Sequence, residues 1–256
     1  MSVNWLMQRI LELRYRGEPP EEWASDVRRL SFDDTLTDGE RRRLVQLARM
    51  FESVVRFDGR HGVVVDAHMR RLIALHACRL VLALGYEPYR FVHRVTVAEA
   101  TFVLEGRHGT VRVRGAAESG GHIAFSWREV ETGTQWDDDG RNVVYHEFAH
   151  VLDGYDGVVD GRPAMRTDAD RLVWAEAVDS AYRRRRRGKR RRQLIDKYAA
   201  TSPVEFFAEA TEVFFEKPIE MQDRDPALYG ALQGYFRQDP AAVLRAILES
   251  PTDATT

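Results

Sequence analysis

The chain has 256 residues, of which 44% are apolar and 30% are charged, and this ordinary composition excludes global disorder. Its single cysteine, Cys78, excludes a disulfide framework and a cysteine-rich zinc cluster. Its net charge of −2 gives the molecule no overall attraction to nucleic acid.

The first predicted feature is an N-terminal helical extension, residues 1–30. Apolar residues recur at helical spacing over 4–16, Pro19 and Pro20 end that helix, and a second short helix is expected at 21–30. Arginines interrupt the apolar residues of the first helix, so the segment lacks the apolar stretch of a signal peptide. No apolar run in the chain reaches the roughly 20 residues that span a bilayer, and we therefore expect a cytoplasmic protein.

Two longer helices are predicted after the extension. Thr37 and Glu40 have the spacing of a capping box, which predicts a helix that runs to about residue 55. Apolar residues at helical spacing predict a further helix over 67–84, which ends before Gly85.

The middle of the chain changes to a β pattern. Short runs of β-prone residues are bounded by glycine or by charge at 91–97, 99–105, 110–114 and 122–127. After residue 140 the pattern is helical again, and 250–256 reads as a flexible tail. We therefore predict an α+β fold in one domain, residues 1–256, that is mostly helical with a small mixed sheet.

The clearest chemical signal is the sequence HEFAH, an H-E-x-x-H motif. On a helix, His146 and His150 share one face and lie one turn apart, as two ligands of a tetrahedral zinc require. Glu147 lies beside them and can take a proton from metal-bound water. Asn142 as N-cap and Gly154 as C-terminal stop support the helix. The alternative is a helix that carries two histidines by chance.

A third ligand is expected from 201–218, because a catalytic zinc keeps three protein ligands and no third histidine follows His150. Ser202 is the predicted N-cap of a helix in this segment. Glu205 and Glu209 lie one turn apart on that helix, and from spacing alone either can be the ligand. In the alternative interpretation, Glu205 is only the capping-box partner of Ser202 on a solvated face.

These motifs resemble those of the bacterial Mlc titration factor A family of zinc-dependent peptidases. The resemblance is carried by GRNVVYHEFAHVLDGYDGVVDGRP (140–163) and YAATSPVEFFAEATEVFFEKP (198–218). Three further stretches agree in content and order, at 42–59, 72–85 and 123–127, so that the resemblance extends from residue 30 to residue 245. The family's site is similar to that of the anthrax lethal factor catalytic domain. The resemblance implies a zincin-like metallopeptidase fold.

The resemblance also implies a role for each residue of the site. His146, His150 and Glu205 would be the ligands of one Zn²⁺ per chain. Glu147 would be the general base, and Tyr198 would donate a hydrogen bond to the oxyanion that develops on the carbonyl oxygen. The implied reaction is aminopeptidase-type hydrolysis of short peptides by zinc-activated water.

Two carboxylates and one strand are expected to support these groups. Glu209 is expected to orient a zinc-bound histidine. Asp153 matches the family's HxLD pattern and would do the same, unless it only ends the helix. The strand before the zinc helix is expected to be an edge strand that binds extended substrate through its main chain. Its substrate-binding residues would be Ile123, Ala124, Phe125 and Ser126.

Two other functions compete with hydrolysis. The family name reflects binding to a transcriptional repressor of sugar uptake, so the chain can instead be a regulator-binding protein that sequesters such a repressor, with hydrolysis secondary. The arginine-rich run at 183–192 is most simply a solvated segment. Contact between this run and nucleic acid or another acidic partner is the less favoured interpretation. We expect a peptide substrate and no membrane partner.

Overall fold

The computed structural model describes residues 5–100, 102–106, 109–113, 115–118, 120–135, 140–186, 194–195, 199 and 201–250. Within these residues the helices are α1 (Trp5–Arg14), α2 (Glu21–Val27), α3 (Asp38–Val54), α4 (Ala67–Leu80), α5 (Trp127–Gln135), α6 (Val143–Asp153), α7 (Asp168–Arg186), α8 (Pro203–Glu216), α9 (Pro218–Arg224), α10 (Pro226–Phe236) and α11 (Pro240–Glu249). The strands are β1 (Arg56–Gly59), β2 (Arg94–Ala98), β3 (Phe102–Gly106), β4 (Gly109–Val113), β5 (Gly115–Glu118) and β6 (His122–Ser126).

The main sheet is mixed, with the strand order β1-β2-β6-β5. Strands β1, β2 and β6 are parallel neighbours, and β5 pairs antiparallel with the other side of β6. Strands β3 and β4 form a separate antiparallel pair. Because helices precede and follow this small sheet, the described chain confirms the predicted, mostly helical α+β fold.

The prediction that β6 is an edge strand is wrong. Ile123 pairs with Val95 of β2 on one side and with Ala117 of β5 on the other, so the backbone of β6 has no free edge. The side chains of Ile123, Ala124, Phe125 and Ser126 are all buried. Strand β5 is instead the last strand of the described sheet on this side. Its sequence, GAAE, contains no β-branched or aromatic residue and therefore does not predict a strand.

Helices α3, α4, α6 and α8 form the centre of the fold. Helix α3 begins at the predicted capping box, because the Glu40 N–H donates to Thr37 Oγ1 over 3.3 Å and the Thr37 N–H donates to Glu40 Oε2 over 2.9 Å. Helix α3 packs on α4, α4 packs on α6, and α6 packs on α8. The buried side chains of these helices and of the main sheet belong to one hydrophobic core, with α6 inside it.

The two helices of the predicted N-terminal extension differ in burial. Helix α2 buries Trp23 and Val27 in the core, whereas α1 buries only Leu11. The exposed apolar side chains of α1 are Trp5, Leu6, Met7, Ile10 and Leu13. None of the described helices combines the length and the apolar character that crossing a membrane requires.

Candidate metal centre

Helix α6 carries the H-E-x-x-H motif and starts at a buried cap. Asn142 Oδ1 accepts hydrogen bonds from the N–H groups of Val144 and Tyr145 over 3.1 and 3.2 Å, as the predicted N-cap should. The Asn142 side-chain amide donates to Gly133 O and to Glu216 Oε1, each over 3.1 Å. The first turn of α6 is thereby fixed to both α5 and α8.

The two histidines of α6 converge with Glu205 in the first turn of α8. Glu205 Oε2 lies 3.2 Å from His146 Nε2 and 3.8 Å from His150 Nε2. Ligands held tetrahedrally at roughly 2.0–2.1 Å from a zinc ion lie about 3.4 Å from one another. Two imidazole nitrogens and a carboxylate oxygen at these separations fit zinc. The three side chains are 15–22% exposed, which leaves a path from solvent to the site.

Glu212 orients the first histidine, and sequence reasoning assigned it no role. Its Oε1 lies 2.7 Å from His146 Nδ1, and its Oε2 accepts from the Asn142 N–H over 2.6 Å. A carboxylate that accepts a hydrogen bond from Nδ1 keeps the imidazole proton on that nitrogen and leaves Nε2 free to bind a metal. The residue predicted for this task is Glu209, whose carboxylate lies in the same cluster, within 4.8 Å of His146 and Glu212 ligand atoms. The role of Glu209 stays a prediction.

Glu147 lies buried between α6 and the edge strand β5. A Cβ atom on Gly115 would lie 2.6 Å from Glu147 Oε1, so the strand backbone covers the carboxylate closely. Burial raises the pKa of Glu147 to about 7, against the opposing effects of the charge on His146 and of a hydrogen bond from the Ala117 N–H. A carboxylate with such a pKa can both take up and release a proton near neutrality.

The electrostatics of the cluster favour a cation. Burial lowers the pKa of both histidines, but hydrogen bonds to Glu205 and Glu212 raise the pKa of His146 well above its usual value. Burial and the positive charge on His146 lower the pKa of His150 to about 4. Burial opposes ionisation of Glu205, yet its hydrogen bond to His146 leaves its pKa below the usual value. The carboxylates therefore hold a positive charge between them, where a metal ion would lie.

Asp153 contacts a loop, which differs from the predicted contact with a histidine. Its Oδ2 accepts from the Gly161 N–H over 2.9 Å, and burial raises its pKa to about 6. His150 Nδ1 is buried without a hydrogen-bond partner among the described residues.

Two predicted features lie wholly or partly outside the described residues. Tyr198, the predicted oxyanion donor, is one of them. Of the arginine-rich run, the structure describes Arg183 to Arg186, which form the last turn of α7, and 187–192 lie outside. Arg184 in this turn pairs with Asp225 over 2.5 Å.

Comparison with known proteins identifies the family. The model of the glucose-regulated metallopeptidase M90 family matches residues 3–237. The chain belongs to the M90 metallopeptidase family. Relatives include uncharacterized protein slr2042 of Synechocystis, which is 32% identical over 93% of this chain and 90% of its own length. Proteins named Mlc titration factor A from Salmonella arizonae and Pectobacterium atrosepticum are 32% and 31% identical, over 82% of this chain and 88% and 84% of their own lengths.

M90 membership confirms the resemblance that the motifs indicated. The chain is therefore a metallopeptidase, and its substrates are peptides. The described residues His146, His150 and Glu205 form a donor group suited to the metal that such a family requires.

Proposed function

We propose that the chain is a zinc-dependent peptidase with a zincin-like site. In this proposal His146, His150 and Glu205 hold one zinc ion, and Glu147 is the general base. The observation that carries it is the convergence of two imidazole nitrogens and one carboxylate oxygen from α6 and α8, with an ionisable carboxylate next to them. The M90 family assignment supports the same reaction class.

Each residue of the proposed site has a separate role in the reaction. Zinc, when bound, supplies a Lewis acid that polarises the scissile carbonyl and makes water nucleophilic. Glu147 takes the proton of the attacking water and delivers it to the leaving amine, a transfer that suits its pKa of about 7. Glu212 keeps His146 in the tautomer that presents Nε2 to the metal. By family resemblance, Tyr198 donates to the oxyanion.

We assign substrate binding to the edge of β5. In the described sheet this strand pairs on one side only, with β6, and its backbone passes over Glu147. An extended peptide that adds to this edge would place a peptide bond beside the general base. Aminopeptidase-type cleavage of short peptides, which the resemblance implies, agrees with such a site.

The decisive experiment compares the wild type with Glu147→Gln on aminoacyl chromogenic amides. We expect both proteins to bind one zinc, because Glu147 is not a ligand in this proposal. We expect Glu147→Gln to lose at least about 100-fold in turnover, the low end for a general base. Equal, measurable turnover by the two proteins would contradict the assignment of Glu147.

A second candidate function comes from the name of the relatives, Mlc titration factor A. In this alternative the chain binds a transcriptional repressor of sugar uptake, and hydrolysis is secondary. The same experiment separates the two candidates. If neither the wild type nor Glu147→Gln turns over although each holds one zinc, the site is latent or serves binding, and a repressor becomes the partner to test.

A further inference from the structure

The loop between α6 and α7 meets three helices at one residue, Gly161. Gly161 is buried, and its φ angle of +79° lies in the left-handed region that glycine adopts without strain. Its N–H, its Cα and its carbonyl each make a different contact. These contacts lead to the end of α6, the start of α8 and the indole of Trp174 in α7.

The first contact joins the loop to the helix of the two histidines. The Gly161 N–H donates to Asp153 Oδ2, and Asp153 is a fully buried residue three positions after His150. This buried carboxylate therefore fixes the backbone of the loop to the last turn of α6.

The second contact joins the loop to the helix of Glu205. A Cβ atom on Gly161 would lie 2.4 Å from the carbonyl oxygen of Pro203 and 2.5 Å from its carbonyl carbon. Pro203 is the first residue of α8, after the N-cap Ser202 and two positions before Glu205. The loop backbone therefore rests on the first turn of α8 at a distance that only glycine permits.

The third contact holds the loop from its other side. Trp174 Nε1 donates to Gly161 O over 3.3 Å. The indole also packs edge-on against Phe207 of α8 and Tyr235 of α10, with ring centroids 5.4 and 5.7 Å apart. Since Phe207 follows Glu205 by two residues, the Gly161 backbone and the Trp174 indole both contact the part of α8 that carries Glu205.

We propose that Asp153 and Gly161 are positioning residues of the metal centre. They join the last turn of α6 to the first turn of α8 and thereby set where Glu205 stands relative to His150. The proposal rests on the ligand set proposed above. Those ligands lie on two separate helices, so the 3.8 Å between His150 Nε2 and Glu205 Oε2 depends on how the two helix ends meet.

The test is the substitution Gly161→Ala, with Gly157→Ala as matched control. Gly157 lies in the same loop with a φ of +93°, and a Cβ atom there meets no atom within 4 Å. Both substitutions strain the backbone in the same way, but only Gly161→Ala pushes on Pro203. Zinc affinity is measured by competition with a chromogenic chelator on protein that circular dichroism shows to be folded. We expect a loss of about 10–100-fold for Gly161→Ala, as for other groups that orient a ligand, and none for Gly157→Ala.

A double-mutant cycle with Glu205→Gln separates positioning from a general loss of stability. If Gly161 acts through Glu205, then Gly161→Ala has no further effect on zinc affinity once Glu205 is replaced. Equal effects in both backgrounds, or equal effects of the two glycine substitutions, overturn the proposal. If Gly161→Ala does not fold, Asp153→Asn takes its place in the cycle with the same expected pattern. A wild type that binds no zinc would overturn the proposed function itself.

Discussion

At the scale of single residues, Glu212 determines the tautomer of His146. Its carboxylate bonds His146 Nδ1 over 2.7 Å and the Asn142 N–H over 2.6 Å, so it is held from both sides. Nothing in the local sequence distinguishes Glu212 from Glu209, because the difference depends on the rotation of α8 against α6. Both glutamates lie on the helix face of Glu205, at four and seven residues after it, so this spacing points to the pair without choosing between them.

Replacing Glu212 with glutamine should weaken zinc binding by about 10–100-fold. The glutamine amide can donate to His146 Nδ1, which would move the imidazole proton to Nε2 and block the metal. Glu216→Gln is the control, because Glu216 bonds the Asn142 side chain one turn further along α8. Competition with a chelator measures both affinities. Equal zinc affinities for the two variants would contradict the orienting role of Glu212.

His76 gives the fold a pH dependence that is separate from the metal site. It is buried in α4, its Nδ1 lies 3.0 Å from Leu72 O, and burial lowers its pKa from 6.5 to about 4. Between these values the unfolded chain binds this proton and the folded chain does not, so the free energy of unfolding falls as pH drops from 6.5 to 4. A shift of this size corresponds to on the order of 3 kcal/mol.

His76→Gln should flatten that dependence. The glutamine cannot take up a proton, so the variant should lose on the order of 3 kcal/mol less stability than the wild type between neutral pH and pH 4. Urea unfolding at a series of pH values measures the difference. Parallel pH profiles for the two proteins would show that His76 is not the buried group responsible.

At the scale of elements, the edge strand β5 controls the surroundings of Glu147. We expect Gly115→Ala to displace the Glu147 carboxylate and to lower kcat/KM by about 10–100-fold, because small misplacements of a catalytic group are costly. Zinc affinity should stay unchanged, since Glu147 is not a proposed ligand. Gly230→Ala, in α10 with no atom within 4 Å of the new Cβ, is the control. Unchanged kcat/KM would mean that β5 does not lie against Glu147 in the working protein.

The helices of the site could be predicted from sequence, whereas their supporting strand could not. Asn142 and Ser202 are polar caps before apolar runs, and both accept the expected backbone hydrogen bonds. Strand β5 has no local signal, because the segment GAAE is held in the sheet by its partner β6 rather than by its own propensity. The wrong assignment of the edge to β6 followed directly from missing β5.

At the scale of the whole molecule, the two helices within the N-terminal 30 residues should contribute differently to the free energy of unfolding. Removing residues 1–17 takes away α1, which buries only Leu11, and should leave a folded protein. Removing 1–30 also deletes the buried Trp23, Val27 and Leu30, each worth about 1.5–3 kcal/mol. The second loss approaches the roughly 5–15 kcal/mol that holds a domain folded. Urea unfolding of both truncated chains tests this, and equal midpoints would contradict it.

The separation of the proposed ligands along the chain would make the stability of the folded protein depend on the metal. His146 and Glu205 are 59 residues apart, so the complete donor set exists only in the folded chain. A ligand that binds only the native state, at a hundredfold excess over its Kd, stabilises that state by about 2.7 kcal/mol. Chains that lack zinc would open more often and be degraded sooner by cellular proteases. The abundance of this peptidase would then follow the zinc supply of its cell, without any dedicated sensor.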